Sequence, residues 1–211
     1  MNVIYRLLLA ATIFGCVSSA QAADLTPDAL AKNTTQEVLA LIKQDKEIAG
    51  NQEKLHKLIE AKVLPHFDFA RMTRLAVGKN WRSASTVQQD ALIKEFRTLL
   101  VRTYSNSLAT YKNQVIDFKP FKMQPTETDV TVKTQVIQSG TQPIPIDYSM
   151  EKTADGWKVY DVTVDGVSLV INYRSSFASE VRQSGIDGLI KTLVEKNQSA
   201  AGGSQSAAVK K

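Results

Sequence analysis

Apolar residues recur at two different periods in this chain, and the change falls near residue 114. Up to that point the spacing is helical. Thr26 is placed to cap a helix with Pro27 in its first turn, and Leu30, Thr34, Val38, Leu41 and Ile42 then share one stripe. Gly50-Asn51 breaks the stripe. A second helix carries Leu55, Leu58, Ile59 and Val63 and stops at Pro65. Asp68 is placed to cap a third, running through Met72 and Leu75 to Gly78, which suits a C-terminal cap. Ser85 and Gln88 form a capping-box pattern ahead of the longest helix, in which Leu92, Phe96, Leu99, Leu100, Thr103, Leu108 and Tyr111 stay near one face.

Beyond Asn113-Gln114 the period becomes two. Ile116 and Phe118 alternate with charged residues, as do Val130, Val132 and Val136 with Thr131, Lys133 and Gln135. Ile144, Ile146, Tyr148 and Met150 alternate with Pro145, Asp147, Ser149 and Glu151, the pattern of a strand in a two-faced antiparallel sheet. Asp155-Gly156 signals a hairpin into a last strand from Trp157 to Val164. Four strands in succession with no helical crossover predict a meander. The fold class expected is therefore α+β: a cone or half-open shell in which the long helix covers a curved four-stranded sheet.

The stretch from Tyr160 to Val181 links the two halves. After the Asp165-Gly166 turn it sets four apolar residues and two aromatics beside a single arginine, Arg174. It reads either as a core strand entering a helix or as the wall of an apolar cavity with a cation at its mouth. A final helix follows with Leu189, Ile190, Leu193 and Val194, punctuated by Gly185 and Gly188, and residues 199–211 are too poor in apolar side chains to bury and are expected to be disordered.

The N-terminus changes the picture of where the chain works. Arg6, an apolar run from Leu7 to Val17 and the Ala20-Gln21-Ala22 site read as a secretory signal peptide over residues 1–22, cleaved after Ala22 to leave about 189 residues. Lipidation of Cys16 is the competing reading, weakened by the bulky Phe14 two positions earlier. Cys16 is the single cysteine, so cleavage after Ala22 leaves none, and with it no disulfide, thiol nucleophile or thiolate metal site. The formal net charge is +5, of which Arg6 is the only charged group in the signal. A modest basic excess in an exported protein suits anionic lipid surfaces or acidic protein partners, not nucleic acid.

Groups for catalysis are sparse. The two histidines, His56 and His66, lie outside any paired metal-ligand spacing, and Gly166-Val167-Ser168-Leu169 lacks the second glycine of a nucleophile elbow. Asp147, Asp161 and Asp165 form an acid–base pair only if the fold brings them together, and Tyr104, Tyr148 and Tyr173 are candidate donors to a ligand or core aromatics. Neither cofactor nor metal is implied. An apolar cavity suits a lipid, whose chains cost about 0.8 kcal/mol per CH₂ exposed to water.

Four runs carry a resemblance: Val63-Leu64-Pro65-His66-Phe67-Asp68-Phe69, Leu75-Ala76-Val77-Gly78-Lys79-Asn80-Trp81-Arg82, Glu95-Phe96-Arg97-Thr98-Leu99-Leu100 and Gly166-Val167-Ser168-Leu169-Val170-Ile171-Asn172-Tyr173-Arg174. Together they closely resemble the MlaC, or toluene-tolerance auxiliary, family, over almost the whole chain to about residue 197. The resemblance implies an NTF2-like cone flanked by a helical lobe. It also implies a monomeric periplasmic phospholipid carrier that is not an enzyme. Such a carrier shuttles lipid between an outer-membrane lipoprotein–porin complex and an inner-membrane ABC transporter with its periplasmic substrate-binding subunit, maintaining outer-membrane asymmetry. On that basis residues 23–198 form the lipid-binding domain, with a helical lobe over about 24–80 and 168–197 and the sheet and long helix over about 85–165. Leu75, Val77, Tyr104, Val132, Tyr148, Met150, Val167, Leu169, Val170 and Tyr173 are the candidates for the pocket or its rim, and Arg82, Arg97 and Arg174 for head-group or partner contact. The alternatives are an NTF2-like enzyme acting on a small apolar substrate through an Asp and a Tyr, and a membrane-attached lipoprotein or chaperone for apolar segments.

Overall fold

Where the hydrophobic period switches to two, the chain folds into one antiparallel meander of five strands: β1 (Val115–Phe118), β2 (Asp129–Ile137), β3 (Ile144–Thr153), β4 (Gly156–Val164) and β5 (Val167–Ser168), paired in that order. The computed structural model describes residues 25–109 and 114–206. The signal peptide and Cys16 lie outside the described residues, as does Tyr111. The fifth strand, two residues long, was not among the four expected. It forms because the turn at Asp165 and Gly166, both at positive φ (49° and 79°), folds Val167 back onto Val164.

Register fixes which side chains share a face. Ile144, Ile146, Tyr148 and Met150 of β3 stand opposite Val136, Thr134, Val132 and Val130 of β2. On the other side they meet Val164, Val162 and Val159 of β4. The phase of β4 changes partway, because a bulge between the Ser149–Asp161 and Met150–Val159 pairs leaves Tyr160 as an extra residue. Trp157 and Val159 before the bulge, and Val162 and Val164 after it, therefore face the same way, and such a bulge adds curvature to the sheet. Val132, Met150, Trp157 and Val159 close into a buried cluster at one end of that inner face.

The helices are α1 (Pro27–Gln44), α2 (Lys46–Gly50), α3 (Gln52–Lys62), α4 (Phe69–Val77), α5 (Thr86–Ala109) and α6 (Arg174–Ser206), with short 3₁₀ turns between some of them. Several caps expected from the sequence form. Asp68 accepts from the Arg71 amide at 2.8 Å, and Ser85 and Gln88 exchange the two bonds of a capping box at 3.0 and 3.3 Å. Gly78 ends α4 at φ 63°, and the Arg174 guanidinium lies over it, with Nε 3.1 Å from where a Cβ would stand.

Along its described side chains the long helix is anchored in the helical layer. α5 packs chiefly on α4 and α6, where Leu92, Phe96 and Leu100 meet Met72, Ala76, Phe177, Leu189 and Leu193 in the largest core cluster. The described helix that lies over the sheet's inner face is α1, whose Leu30 and Ala31 pack on the strand cluster. α6 also begins earlier than expected, at Arg174, bends at Gly185 (φ 71°) and continues to Ser206, into the stretch expected to be disordered.

Two polar clusters tie the helical layer to the sheet. Arg71 of α4 pairs with Glu151 of β3 and with Asp129 of β2 at 2.8 Å, while its guanidinium lies 3.5 Å from the centroid of the Tyr160 ring. Asp161, almost fully buried, accepts from the Val162 amide at 2.8 Å, the Ser168 hydroxyl at 2.5 Å and the Val170 amide at 3.2 Å. The edge of β4 is thereby covered: Val162 accepts from the Leu169 amide at 2.8 Å, and Val159 from Asp68 at 2.9 Å.

Candidate functional site

Between α1 and the inner face of the sheet lies a cavity of about 440 Å³, within the range of about 300–1,000 Å³ usual for small-molecule pockets. Its helical wall is Leu30, Ala31, Thr34, Thr35, Val38 and Leu39 of α1, with Val63, His66 and Phe67 from the end of α3 and the turn after it. Its sheet wall is Ile116 of β1, Val136 of β2, Ile144, Ile146, Tyr148 and Met150 of β3, and Val159 and Val164 of β4. Gln114 and Gln138 complete it. The described lining is mostly aliphatic and contains no carboxylate or permanent cation.

The cavity has a closed end and an open one. Along β3, exposure rises from 0 % at Met150 to 45 % at Ile144, and Val159 beside Met150 is 5 % exposed. Leu30, Ala31 and Phe67 pack on the same closed end. At the other end Gln138 is exposed, and the Gln114 side-chain amide donates to Gln138 Oε1 at 3.3 Å. Val115, Ile137 and Val167 are exposed around that end of the sheet.

Two polar side chains of the wall are held in their neutral forms. Burial raises the Tyr148 hydroxyl well above the ordinary phenol value, and its hydrogen bond to Thr134 only partly opposes this. Thr134 in turn donates to the Ile146 carbonyl at 2.8 Å, so the Tyr148 hydroxyl is tied back into the sheet. His66 lies below its ordinary 6.5 because burial penalises the imidazolium and Lys158 repels it, while Glu37 acts more weakly the other way. Lys158 is fixed by donating to the Pro65 carbonyl at 2.7 Å, and Glu37 is paired with Lys62 at 2.6 Å. Because the folded value is depressed, the unfolded chain binds the proton more readily below pH 6.5. The stability tied to neutral His66 is present in full above that pH and is lost as pH falls through the folded value. Urea unfolding at pH 7.5 and pH 5 is expected to show a larger acid-induced loss in the native protein than in His66→Gln.

The candidate pocket residues divide sharply. Tyr148 and Met150 line the cavity. Val132 shares their face but is 1 % exposed in the packed cluster at the closed end. Val167 pairs with the lining residue Val164 and is 54 % exposed, which places it at the rim. Leu75, Val77, Tyr104, Val170 and Tyr173 belong instead to the helical core around Phe96, and Leu169 is half-buried on the edge of β4. The reason is the turn at Asp165-Gly166: it carries the chain off the sheet and into the α4–α5–α6 layer, where Tyr173 meets Phe96 edge-on at 5.1 Å. Of the stretch from Val167 to Tyr173, the turn leaves Val167 beside the cavity lining and carries Val170 and Tyr173 into the helical core.

The three arginines are also not among the lining residues. Arg97 pairs with Glu60 across α5 and α3, Arg174 covers Gly78, and Arg82 is exposed in the turn before α5. Asp147 lies on the opposite face of β3, 4.0 Å from Lys133, and Asp161 is consumed by its three hydrogen bonds, so neither carboxylate meets Tyr148 in the cavity. Sequence reasoning missed the α1 wall. Its signal was present in the stripe Leu30, Thr34 and Val38, which includes a threonine where a helix buried in a dry core carries an aliphatic residue.

Comparison with known proteins follows the same outline. The profile of the MlaC protein family matches residues 32–195. The intermembrane phospholipid transport system binding protein MlaC of Haemophilus influenzae is 26 % identical over 165 residues, covering 74 % of this chain and 75 % of that protein. Toluene tolerance protein ttg2D of Pseudomonas putida is 28 % identical over 170 residues, covering 80 % of this chain and 78 % of its own length. A solved structure of a phospholipid-binding protein from Ralstonia solanacearum, in complex with a phospholipid, superposes with a TM-score of 0.78 at 37 % identity, covering 84 % of this chain and 99 % of that one.

Proposed function

The chain belongs to the MlaC family, and from that premise we propose that it is a phospholipid carrier of the periplasm, holding acyl chains between α1 and the sheet. The observation that carries this reading is the cavity itself: mostly aliphatic, closed at Met150 and Val159 and open beside Gln114 and Gln138. Two acyl chains of about sixteen carbons, at about 0.8 kcal/mol per CH₂, face a cost on the order of 25 kcal/mol in water. Exchange of a bilayer for a dry apolar cavity avoids that cost while leaving a small net difference, so both uptake and release are accessible.

In this reading the carrier moves lipid between an outer-membrane lipoprotein–porin complex and an inner-membrane ABC transporter, and so maintains the asymmetry of the outer membrane. The binding domain spans residues 23–198, and the carrier acts as a monomer. It transfers lipid without chemistry. An acid–base enzyme on this framework requires a carboxylate near the Tyr148 hydroxyl, and the described lining supplies none. Native mass spectrometry of protein purified under lipid-retaining conditions is expected to show about one phospholipid per chain. Protein that never carries phospholipid under those conditions overturns the proposal.

A further inference from the structure

An amphipathic ligand in a blind apolar cavity enters tail first, and its polar part comes to rest at the open end. Among the described residues, the polar side chains lining that end are two neutral amides. Gln114, just ahead of β1, and Gln138, just after β2, lie across one strand pair, with Gln114 Nε2 donating to Gln138 Oε1 at 3.3 Å. Both line the cavity, and Gln138 is exposed. The bond occupies a Gln138 acceptor, and among the described residues the Gln138 amide N–H groups meet no acceptor. The other polar side chains of the lining lie elsewhere: Thr34 and Thr35 on α1, His66 in the turn after α3, and Tyr148 tied to Thr134.

We infer that Gln114 and Gln138 form the polar subsite of the cavity, where amide N–H groups hold the ester and phosphate oxygens of a phospholipid whose chains run toward Met150. This rests on the carrier reading above and adds the residues that orient the cargo. An amide donates to a phosphodiester through a charge-assisted bond, yet it leaves no buried cation behind when the lipid departs. The two amides contact the part of the molecule that all phospholipids share, its ester and phosphate oxygens.

The test compares wild-type protein with Gln138→Glu, each titrated in mixed detergent micelles with dioleoyl phosphatidylglycerol or with dioleoylglycerol, which has the same chains and no phosphate. The exposed position of Gln138 keeps the substitution compatible with folding, and a thermal melt on the same sample confirms it. A carboxylate beside the phosphate replaces a donor with a like charge, and affinity for phosphatidylglycerol is expected to fall about tenfold. Affinity for dioleoylglycerol should stay within about twofold of wild type on the same grounds, since no phosphate is present. Equal losses for both lipids, or no loss for either, would overturn the subsite. Inorganic phosphate alone, added at millimolar concentration in place of lipid, is expected to leave the melt unchanged. A stabilisation that disappears in Gln138→Glu would reassign the pair to a free anion. Wild-type protein that binds neither lipid refutes the carrier reading itself, an outcome distinct from failure of the subsite alone.

Discussion

Ile146→Asp is expected to give a folded protein that carries no phospholipid. Ile146 stands between Thr134 of β2 and Val164 of β4, and its half-buried side chain lines the cavity. The empty cavity admits water to hydrate a carboxylate, so the strand ladder is preserved. An acyl chain laid against that carboxylate strips its water and offers no partner in return, at a cost of several kcal/mol. A loss of about 3 kcal/mol, at about 1.4 kcal/mol per tenfold, lowers affinity on the order of 100-fold. Native mass spectrometry should show the lipid-bound species nearly absent, while circular dichroism and the urea midpoint stay close to wild type. Lipid occupancy equal to wild type would mean that the chains do not pass Ile146.

Val170→Asp should do the reverse, destroying the fold before any effect on lipid can be read. Val170 is 0 % exposed and lies in the helical core with Met72, Ala76, Phe96 and Leu189, away from the cavity lining. Its amide donates to buried Asp161, so the new carboxylate would also stand close to an existing one. Lost apolar burial of about 2 kcal/mol and the burial of an unpaired charge sum to more than about 4 kcal/mol. That is a large part of the roughly 5–15 kcal/mol that holds a typical domain together. For a chain of this size the melting temperature is expected to drop on the order of 10–20 °C. A Val170→Asp protein that melts like wild type yet has lost its lipid would place this residue on the cavity after all.

The contrast between these two isoleucine and valine positions marks how far the sequence could be read. Both sit in apolar surroundings in the chain, but only Ile146 belongs to a clean period-two run, and alternation assigns a face directly. Tyr148 and Met150, chosen from the same run, line the cavity as a result. Val170 follows a turn, and a turn carries no periodicity from which to infer the destination of the next side chain. The Asp165-Gly166 pair revealed that the chain reverses there; it did not reveal that the reversal leads into the α4–α5–α6 layer. The place of Arg174 over Gly78 was illegible for the same reason, since it depends on how α6 meets the end of α4.

Local chemistry thus determined a great deal by itself. The Ser85–Gln88 and Asp68 caps, the end of α4 at Gly78 and the antiparallel meander each depend on residues within a few positions or on simple alternation, and all are found where the pattern puts them. Tertiary structure alone decided which helix covers the sheet. α1 and α5 both present apolar stripes, and a stripe specifies that a face is buried without specifying against what. Phe96 and Leu92 of α5 meet Phe177, Leu189 and Leu193, while Leu30, Ala31 and Thr34 of α1 lie over the strands. The cavity lies between those residues and the strands, and its position follows from the packing of all the elements together, with no single segment of sequence holding the information.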